Sequence, residues 1–249
     1  MSAPRNIWII FKRELKAQFN SMLAYVFIVI FVVLAMALTF WFRNFFDPGG
    51  QDASLEFTFF LWPAWLLMFL APAVGMRLWS EEHRTGTVEL LLTMPMAPWQ
   101  AIVGKFLAGL AVITLAIICS FPIVITVSYL GDPDNGKVIG GYLATFLYGA
   151  ACLAITCSVS AFTRSVVACL IVSVTICFLM LLLAVPPVQD YFTDLLGGSL
   201  SDAISSFSMF SHYNDIKRGV VTLPNIAFFA SLIGFCLFLT SIVIKTKRS

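Results

Sequence analysis

The residues best suited to chemistry are charged side chains that lie between two apolar runs, in the stretch 81–95. This stretch opens with two glutamates, a histidine and an arginine. Such side chains form charge-assisted hydrogen bonds that can fix the register of a protein–protein contact. The stretch is therefore a candidate docking site for a soluble protein at the membrane face. The plain alternative is an ordinary solvated loop.

A turn and a short helix are predicted within this stretch. Gly86, between two threonines, suits a turn and the start of a helix, and Glu89 then falls in the first turn, where a carboxylate favours the positive end of the helix dipole. Pro95 ends this helix, and Pro98 begins the next. An apolar row at three- and four-residue spacing, which can sit in a cleft of the docking protein, is formed by Val88, Leu91 and Leu92. The predicted contact residues are Glu81, Glu82, Arg84, Thr85, Gly86, Thr87, Val88, Glu89, Leu91 and Leu92.

The sequence gives no support for a catalytic, metal or nucleotide site. The two histidines, His83 and His212, fall on opposite sides of the predicted bilayer and cannot share a site. Lys105 follows Gly104, but a phosphate loop also needs a glycine six residues before the lysine and a Ser or Thr after it. Each of the six cysteines lies in an apolar run and is expected to be a small core residue. We therefore expect no catalytic residue, no metal and no cofactor on this chain.

The composition is that of an all-α integral membrane protein. Of the 249 residues, 60% are hydrophobic and only 11% are charged, and the mean hydropathy is +0.94. A soluble domain carries roughly 25% charged residues. The basic amino terminus leads into an apolar run that is too long for a signal peptide, so this run is expected to remain as a span. The net charge of +2 is too small to indicate nucleic-acid binding.

Six apolar runs are long enough to cross a bilayer, which needs roughly 20 residues. The third run is long for a straight crossing and contains Pro122, which predicts either a kink or a helix that projects beyond the bilayer. The whole chain, 1–249, is expected to be one membrane domain with an interfacial helix at 6–20, a contact segment at 80–96 and an outer segment at 186–224. The predicted spans are 22–42, 57–77, 101–130, 138–162, 166–185 and 225–244.

The distribution of charge predicts the orientation of these spans. With the amino terminus inside, eleven of the 15 Lys and Arg residues are cytoplasmic, as the positive-inside rule requires. Both termini are then predicted to be cytoplasmic. The expected location of the protein is the inner (plasma) membrane of a bacterium. Ionisable side chains are absent from the middle of all six runs, although ion-coupled carriers usually place one there. A secondary transporter is therefore disfavoured.

The segment 6–20 is predicted to be an amphipathic helix at the membrane interface. At 100° per residue, its apolar side chains share one side and its basic side chains share the opposite side. The helix is either an anchor for the first span or a direct docking surface for a partner. The apolar side holds Ile7, Trp8, Phe11, Leu15 and Phe19, and the basic side holds Lys12, Arg13 and Lys16.

Residues 81–92, followed by Pro95 and by Gly104-Lys105, resemble the coupling segment of ABC type 2 transporter permeases. The shared pattern is an acidic pair, Gly-Thr, a glutamate, a leucine run, a proline and Gly-Lys. The stretches 21–25 and 212–221 are similar to motifs of the gliding-motility type of that family. Met22, Tyr213 and Ile216 depart from those motifs.

The resemblance implies a six-span permease that pairs with a second permease copy, identical or different, and with two cytoplasmic ABC ATPase subunits. ATP and Mg would bind to the ATPase subunits, and this chain would couple their hydrolysis to movement of a substrate, most simply export. The alternative is a mechanotransmitting subunit that acts on a periplasmic partner without moving a solute. An accessory membrane protein with a periplasmic domain is the further partner that the resemblance suggests.

The outer segment 186–224 has two interpretations. Its apolar side chains recur at helical spacing, which predicts two short amphipathic helices that dip into the outer leaflet. By resemblance, these helices cap the outer end of the pathway and meet the accessory protein. The alternative is a surface loop with apolar anchors. The predicted outer contacts, which could equally form an interfacial ion network, are His212, Asp215, Lys217 and Arg218.

Overall fold

The structure, a computed structural model, describes residues 3–42, 59–87, 97–130, 134–185, 188 and 207–246. Every element within these ranges is a helix, which confirms the all-α prediction. In chain order the ten described helices are α1 (Ala3–Asn20), α2 (Met22–Phe42), α3 (Trp62–Gly75), α4 (Arg77–Thr85), α5 (Pro98–Cys119), α6 (Pro122–Leu130), α7 (Asn135–Phe162), α8 (Val166–Leu182), α9 (Met209–Lys217) and α10 (Leu223–Thr246).

Four apolar helical segments are long enough to cross a bilayer within the described part of the chain, and one of them consists of α5 and α6 together. They are Met22–Trp41, Pro98–Tyr129, Asn135–Phe162 and Leu223–Thr246. The helices of the second and fifth predicted runs are shorter, with 14 residues in Trp62–Gly75 and 17 in Val166–Leu182. The chain is thus a multi-pass membrane protein, and six spans remain a prediction.

Proline sets the boundaries of the third run. Pro98 occupies the first turn of α5, where its missing N–H is not needed. The helix ends at Cys119 and a new one begins at Pro122, the residue at which the kink is predicted. Ser120 stabilises the break, because its hydroxyl donates to the carbonyl of Ile117 at 2.7 Å.

Helix α7 is the centre of the bundle and contacts α3, α4, α5, α8, α9 and α10. Many residues of α7 are Gly, Ala, Cys, Ser or Thr, and they lie on every side of the helix. Neighbouring segments can therefore approach it closely. At Gly141, for example, an added Cβ would lie 2.5 Å from the Phe60 ring. Five of the six cysteines are buried in the bundle as predicted, while Cys119 is exposed on an apolar surface.

Candidate functional site

The charged stretch begins as a helical extension of the second apolar run. Helix α4 follows α3 after a single residue, Met76, that keeps a right-handed helical conformation. The helix ends at Gly86, whose φ of 73° favours glycine and whose N–H bonds to the carbonyl of Glu82. Thr87 is again helical, and residues 88–96 lie outside the described part of the chain. The predicted contacts Val88, Glu89, Leu91 and Leu92, with most of the predicted short helix, therefore fall outside it.

Two of the predicted contact residues point towards solvent. The side chains of Glu81 and Arg84 are 44% and 65% exposed, and they form a loose ion pair at 3.8 Å across one turn of α4. Exposed pairs of this kind contribute little to stability, so both groups are available to a partner at little cost. Thr85 and Thr87 are also exposed, and their hydroxyl oxygens lie 3.0 Å apart beside the Gly86 turn.

Glu82, in contrast, is engaged inside the chain. Its Oε1 lies 2.8 Å from the Nζ of Lys105, whose side chain is only 2% exposed. Lys105 Nζ is also 3.3 Å from Glu14 Oε1. Because a buried ammonium group is stable only when it is paired, these two carboxylates explain why a lysine can be buried at this position.

Arg13 completes what we name the Lys105 cluster, formed by Arg13, Glu14, Glu82 and Lys105. The Arg13 Nη2 donates to Glu14 at 2.6 Å and lies 3.9 Å from Glu82. Two cations and two carboxylates thus alternate, and the cluster carries no net charge. It joins three helices, because its members come from α1, α4 and α5.

The ring of Trp79 and one oxygen of Glu82 that has no hydrogen-bond partner among the described residues also lie at the Lys105 cluster. The Lys105 Nζ lies 5.1 Å from the ring centroid of Trp79, a cation–π distance, and Trp79 is fully buried. The second oxygen of Glu82, Oε2, is buried and has no hydrogen-bond partner among the described residues. The carboxylate can therefore accept one further donor.

Helix α1 is packed tightly against the start of α5. Gly104 allows this approach, because an added Cβ would lie 2.9 Å from Ile10 Cγ2 and 3.2 Å from the Ile7 carbonyl oxygen. One turn away, the buried Asn6 donates to the side chain of Gln100 at 3.0 Å. The adjacent residues Gly104 and Lys105 therefore serve two purposes, since the first admits α1 and the second binds it.

A crevice of about 130 Å³ lies next to the Lys105 cluster, between α1 and the helices α3 and α4. Its polar walls are formed by Glu14, Gln18, Arg77 and Glu81. A crevice of this size and polarity can receive a single polar side chain from another protein. Among the described residues there is no group of three His, Cys, Asp or Glu that could hold a metal ion.

The predicted outer contacts lie in and beside α9 and differ in exposure. Asp215 and Arg218 are exposed, whereas His212 is half-buried and Lys217 is 4% exposed. The His212 Nδ1 lies 2.9 Å from Asn225 Oδ1, and its ring stacks on Phe228 with centroids 4.1 Å apart. Asp215 and Arg218 can therefore meet a partner directly, whereas His212 helps to hold α9 against α10.

Helix α9 is fixed to the other helices by its buried face. The hydroxyl of Tyr213 donates to the carbonyl of Phe60, and burial raises the pKa of this phenol, which stays neutral. The backbone of α9 lies directly against Gly140 of α7, where an added Cβ would be 2.6 Å from the Ile216 carbonyl oxygen. Residues 189–206, which hold the first predicted outer helix and the beginning of the second, lie outside the described part.

The described parts of the two predicted sites lie far from each other. The outer helix packs near Gly140, while the end of α3 packs near Thr156, where an added Cβ on Gly75 would lie 2.8 Å away. These positions are about 24 Å apart along α7. The chain thus has one candidate contact surface at each end of its central helix.

Sequence reasoning did not recognise Glu14, Lys105 and Trp79 as members of one site. Their signal is present but weak, because Lys105 is a lone charge and the eighth residue of a predominantly apolar helix. A charge at such a position requires a partner of opposite sign. The sequence does not show which of its acidic residues that partner is.

The sequence matches a known protein family. The profile of a family described as ABC-2 family transporter protein matches residues 8–244, nearly the entire chain. A search of curated proteins finds no match to this sequence.

Proposed function

The chain belongs to the ABC-2 family of transporter proteins, and from this premise we propose that it is the permease subunit of an ATP-driven exporter. Membership implies a membrane subunit of an ABC transporter that works with an ATPase subunit. Our proposal adds six spans, a second permease copy and cytoplasmic termini in a bacterial inner membrane. ATP and Mg bind to the ATPase subunits, and this chain has no catalytic site of its own.

The observation that carries the proposal is the position of the Lys105 cluster. Helices α4 and α5 are the described helices on either side of segment 88–96, and Glu82 and Lys105 join them at 2.8 Å. Glu14 and Arg13 add α1 to the same unit. Force applied to the segment between α4 and α5 would therefore move three helices together instead of bending one.

The difference in exposure assigns different roles to neighbouring charges. Glu81 and Arg84 face solvent and would contact the ATPase, together with the predicted apolar row at 88–92. Glu82 would act mainly through Lys105, because its Oε1 is already bound there. The crevice beside Glu14 and Glu81 would receive a polar side chain of the ATPase.

Reconstitution of the permease with its ATPase tests this division of roles. The Lys105→Met complex should keep its ATPase subunits but lose most ATP-dependent change in the spans, which a spectroscopic label on α10 would detect. Lys16→Met is the matched control, since Lys16 is exposed on α1. A Lys105→Met complex whose spans respond as the wild type does would refute transmission through the cluster.

A second candidate function is mechanical action on a periplasmic partner without transport. The attachment of α9 to α7 and to the residues before α3 favours it, because movement of the spans would be passed directly to the outer surface. Asp215 and Arg218 would then be the exposed contacts. A vesicle assay separates the two functions, since an exporter moves a solute while hydrolysing ATP and a mechanical transmitter only hydrolyses ATP.

A further inference from the structure

An apolar groove of about 670 Å³ lies between the interfacial helix α1 and helix α5. Helix α1 contributes Ile7, Trp8 and Phe11, and α5 contributes a row of side chains from Leu107 to Ile118. The volume is within the range of binding sites for small molecules. Trp8 stacks on Phe11 at 5.3 Å and still exposes 62% of its surface.

The groove offers almost nothing to a polar ligand. The only hydroxyl among its lining residues belongs to Thr114, and it already donates to the Leu110 carbonyl at 2.7 Å. A polar group placed along α5 would lose its hydrogen bonds to water without replacement. The part of the ligand inside the groove must therefore be hydrocarbon.

The length of the groove fits one leaflet of a bilayer. Leu107 and Ile118 are eleven residues apart on a continuous helix, a distance of about 17 Å. Half of a typical hydrocarbon core is about 15 Å thick. The groove thus has the dimensions of an acyl chain that belongs to the leaflet in which α1 lies.

Two positively charged residues of α1, Arg5 and Lys12, lie beside the part of the groove that α1 lines. At 100° per residue, Arg5 and Lys12 both fall about 40–60° from Trp8, so Lys12 lies at the edge of the basic side of α1 that adjoins the tryptophan. Both side chains are exposed, and neither pairs with a carboxylate of the described residues. A tryptophan beside two cations is typical of the headgroup level of a membrane.

From these observations we infer that the groove is a binding site for an anionic phospholipid. One acyl chain lies along α5 between Leu107 and Ile118, and the phosphate binds to Arg5 and Lys12. The bound lipid holds α1 at the interface and so supports the helix that supplies Arg13 and Glu14 to the Lys105 cluster. This site is independent of any contact with the ATPase.

Photo-crosslinking of the full-length chain in mixed vesicles tests the site. The probe is phosphatidylglycerol with a diazirine in its acyl chain, compared with phosphatidylcholine that carries the same chain. We expect crosslinks between residues 107 and 118, about tenfold stronger with the anionic lipid. The Arg5→Gln/Lys12→Gln variant should lose this preference, whereas Lys245→Gln, an exposed charge on α10, should keep it.

A second variant tests the groove itself. Ala111 lines the groove, so Ala111→Phe should abolish crosslinking of both lipids, while Ala230→Phe on the exposed face of α10 should not. The charge variants change only exposed positions, which separates loss of binding from failure to fold. Equal labelling by the two lipids in the wild type, or unchanged labelling in Ala111→Phe, would overturn the proposal.

Discussion

The ammonium group of Lys105 lies 2.8 Å from the carboxylate of Glu82, although the two residues belong to different helices on either side of segment 88–96. Lys105 is almost fully buried, and Glu82 is about one-fifth exposed. The pair therefore forms where α4 and α5 meet, and Glu14 extends it to α1. The ion pairs thus connect α1, α4 and α5 through one cluster of side chains.

The first prediction concerns the stability of this unit. Lys105→Met removes the cation and leaves two carboxylates facing each other, which should destabilise the chain by about 3 kcal/mol, or lower its apparent Tm by roughly 6–12 °C. Thermal unfolding of the purified permease in detergent measures the effect. Lys16→Met should change the Tm by no more than about 2 °C, since surface substitutions usually have small effects.

A double-mutant cycle tests whether Glu82 and Lys105 interact directly. If Glu82 acts through Lys105, the effects of Glu82→Gln and Lys105→Met on stability should be less than additive, because each removes the same interaction. Additive effects would contradict a direct contact between the two residues.

The second prediction separates binding from stability. Arg84→Glu changes a side chain that is 65% exposed, so it should weaken binding of the ATPase by about five- to tenfold and leave the Tm unchanged. Affinity for the purified ATPase measures the first effect. Arg164→Glu, at another exposed position between two helices, serves as the control. Normal affinity in Arg84→Glu would remove α4 from the proposed contact surface.

The third prediction tests the close approach of α1 and α5. Gly104→Ala forces a Cβ against Ile10 and the Ile7 carbonyl and should destabilise the chain by about 1–3 kcal/mol. Gly234→Ala is the matched control in α10, where an added Cβ meets nothing within 4 Å. This control should be neutral or stabilising by up to about 1 kcal/mol, because alanine favours helix. Equal Tm values for the two variants would show that the packing at Gly104 is unimportant.

The fourth prediction concerns the apolar row at 88–92, which lies outside the described residues. Leu91→Asp would bury an unpaired carboxylate in the cleft of the ATPase, which costs several kcal/mol or roughly a thousandfold in affinity. Leu90→Asp is the control, since helical spacing places Leu90 on the face of the predicted helix opposite the apolar row. Copurification of the ATPase with each variant measures the difference, and equal loss in both would contradict a one-sided row.

Local features of this chain could be predicted from its sequence. The amino-terminal helix α1, the start of α5 at Pro98 and the break between α5 and α6 depend on side chains within one or two turns. The Lys105 cluster could not be predicted, because Glu14, Glu82 and Lys105 are far apart in the chain. They come together because α1 packs against α5 and the long side chain of Lys105 reaches Glu82 on α4.

The outer site shows the same limit. His212, Asp215, Lys217 and Arg218 form one charged group in the sequence, but the helix turns them in different directions. Tyr213 and Ile216 are buried against the bundle together with Lys217, whereas Asp215 stays exposed.

The central position of α7 could not be predicted either. Small residues on every side of a helix have no periodicity that would indicate which side is buried.

The most direct test of the account is copurification of the tagged, full-length chain after gentle extraction in detergent. The account predicts that an ATP-hydrolysing subunit is recovered with the wild type and with Lys16→Met, and that its yield falls with Arg84→Glu. Recovery of the chain without any ATP-hydrolysing subunit would contradict the claim that this membrane protein is driven through its charged α4–α5 segment.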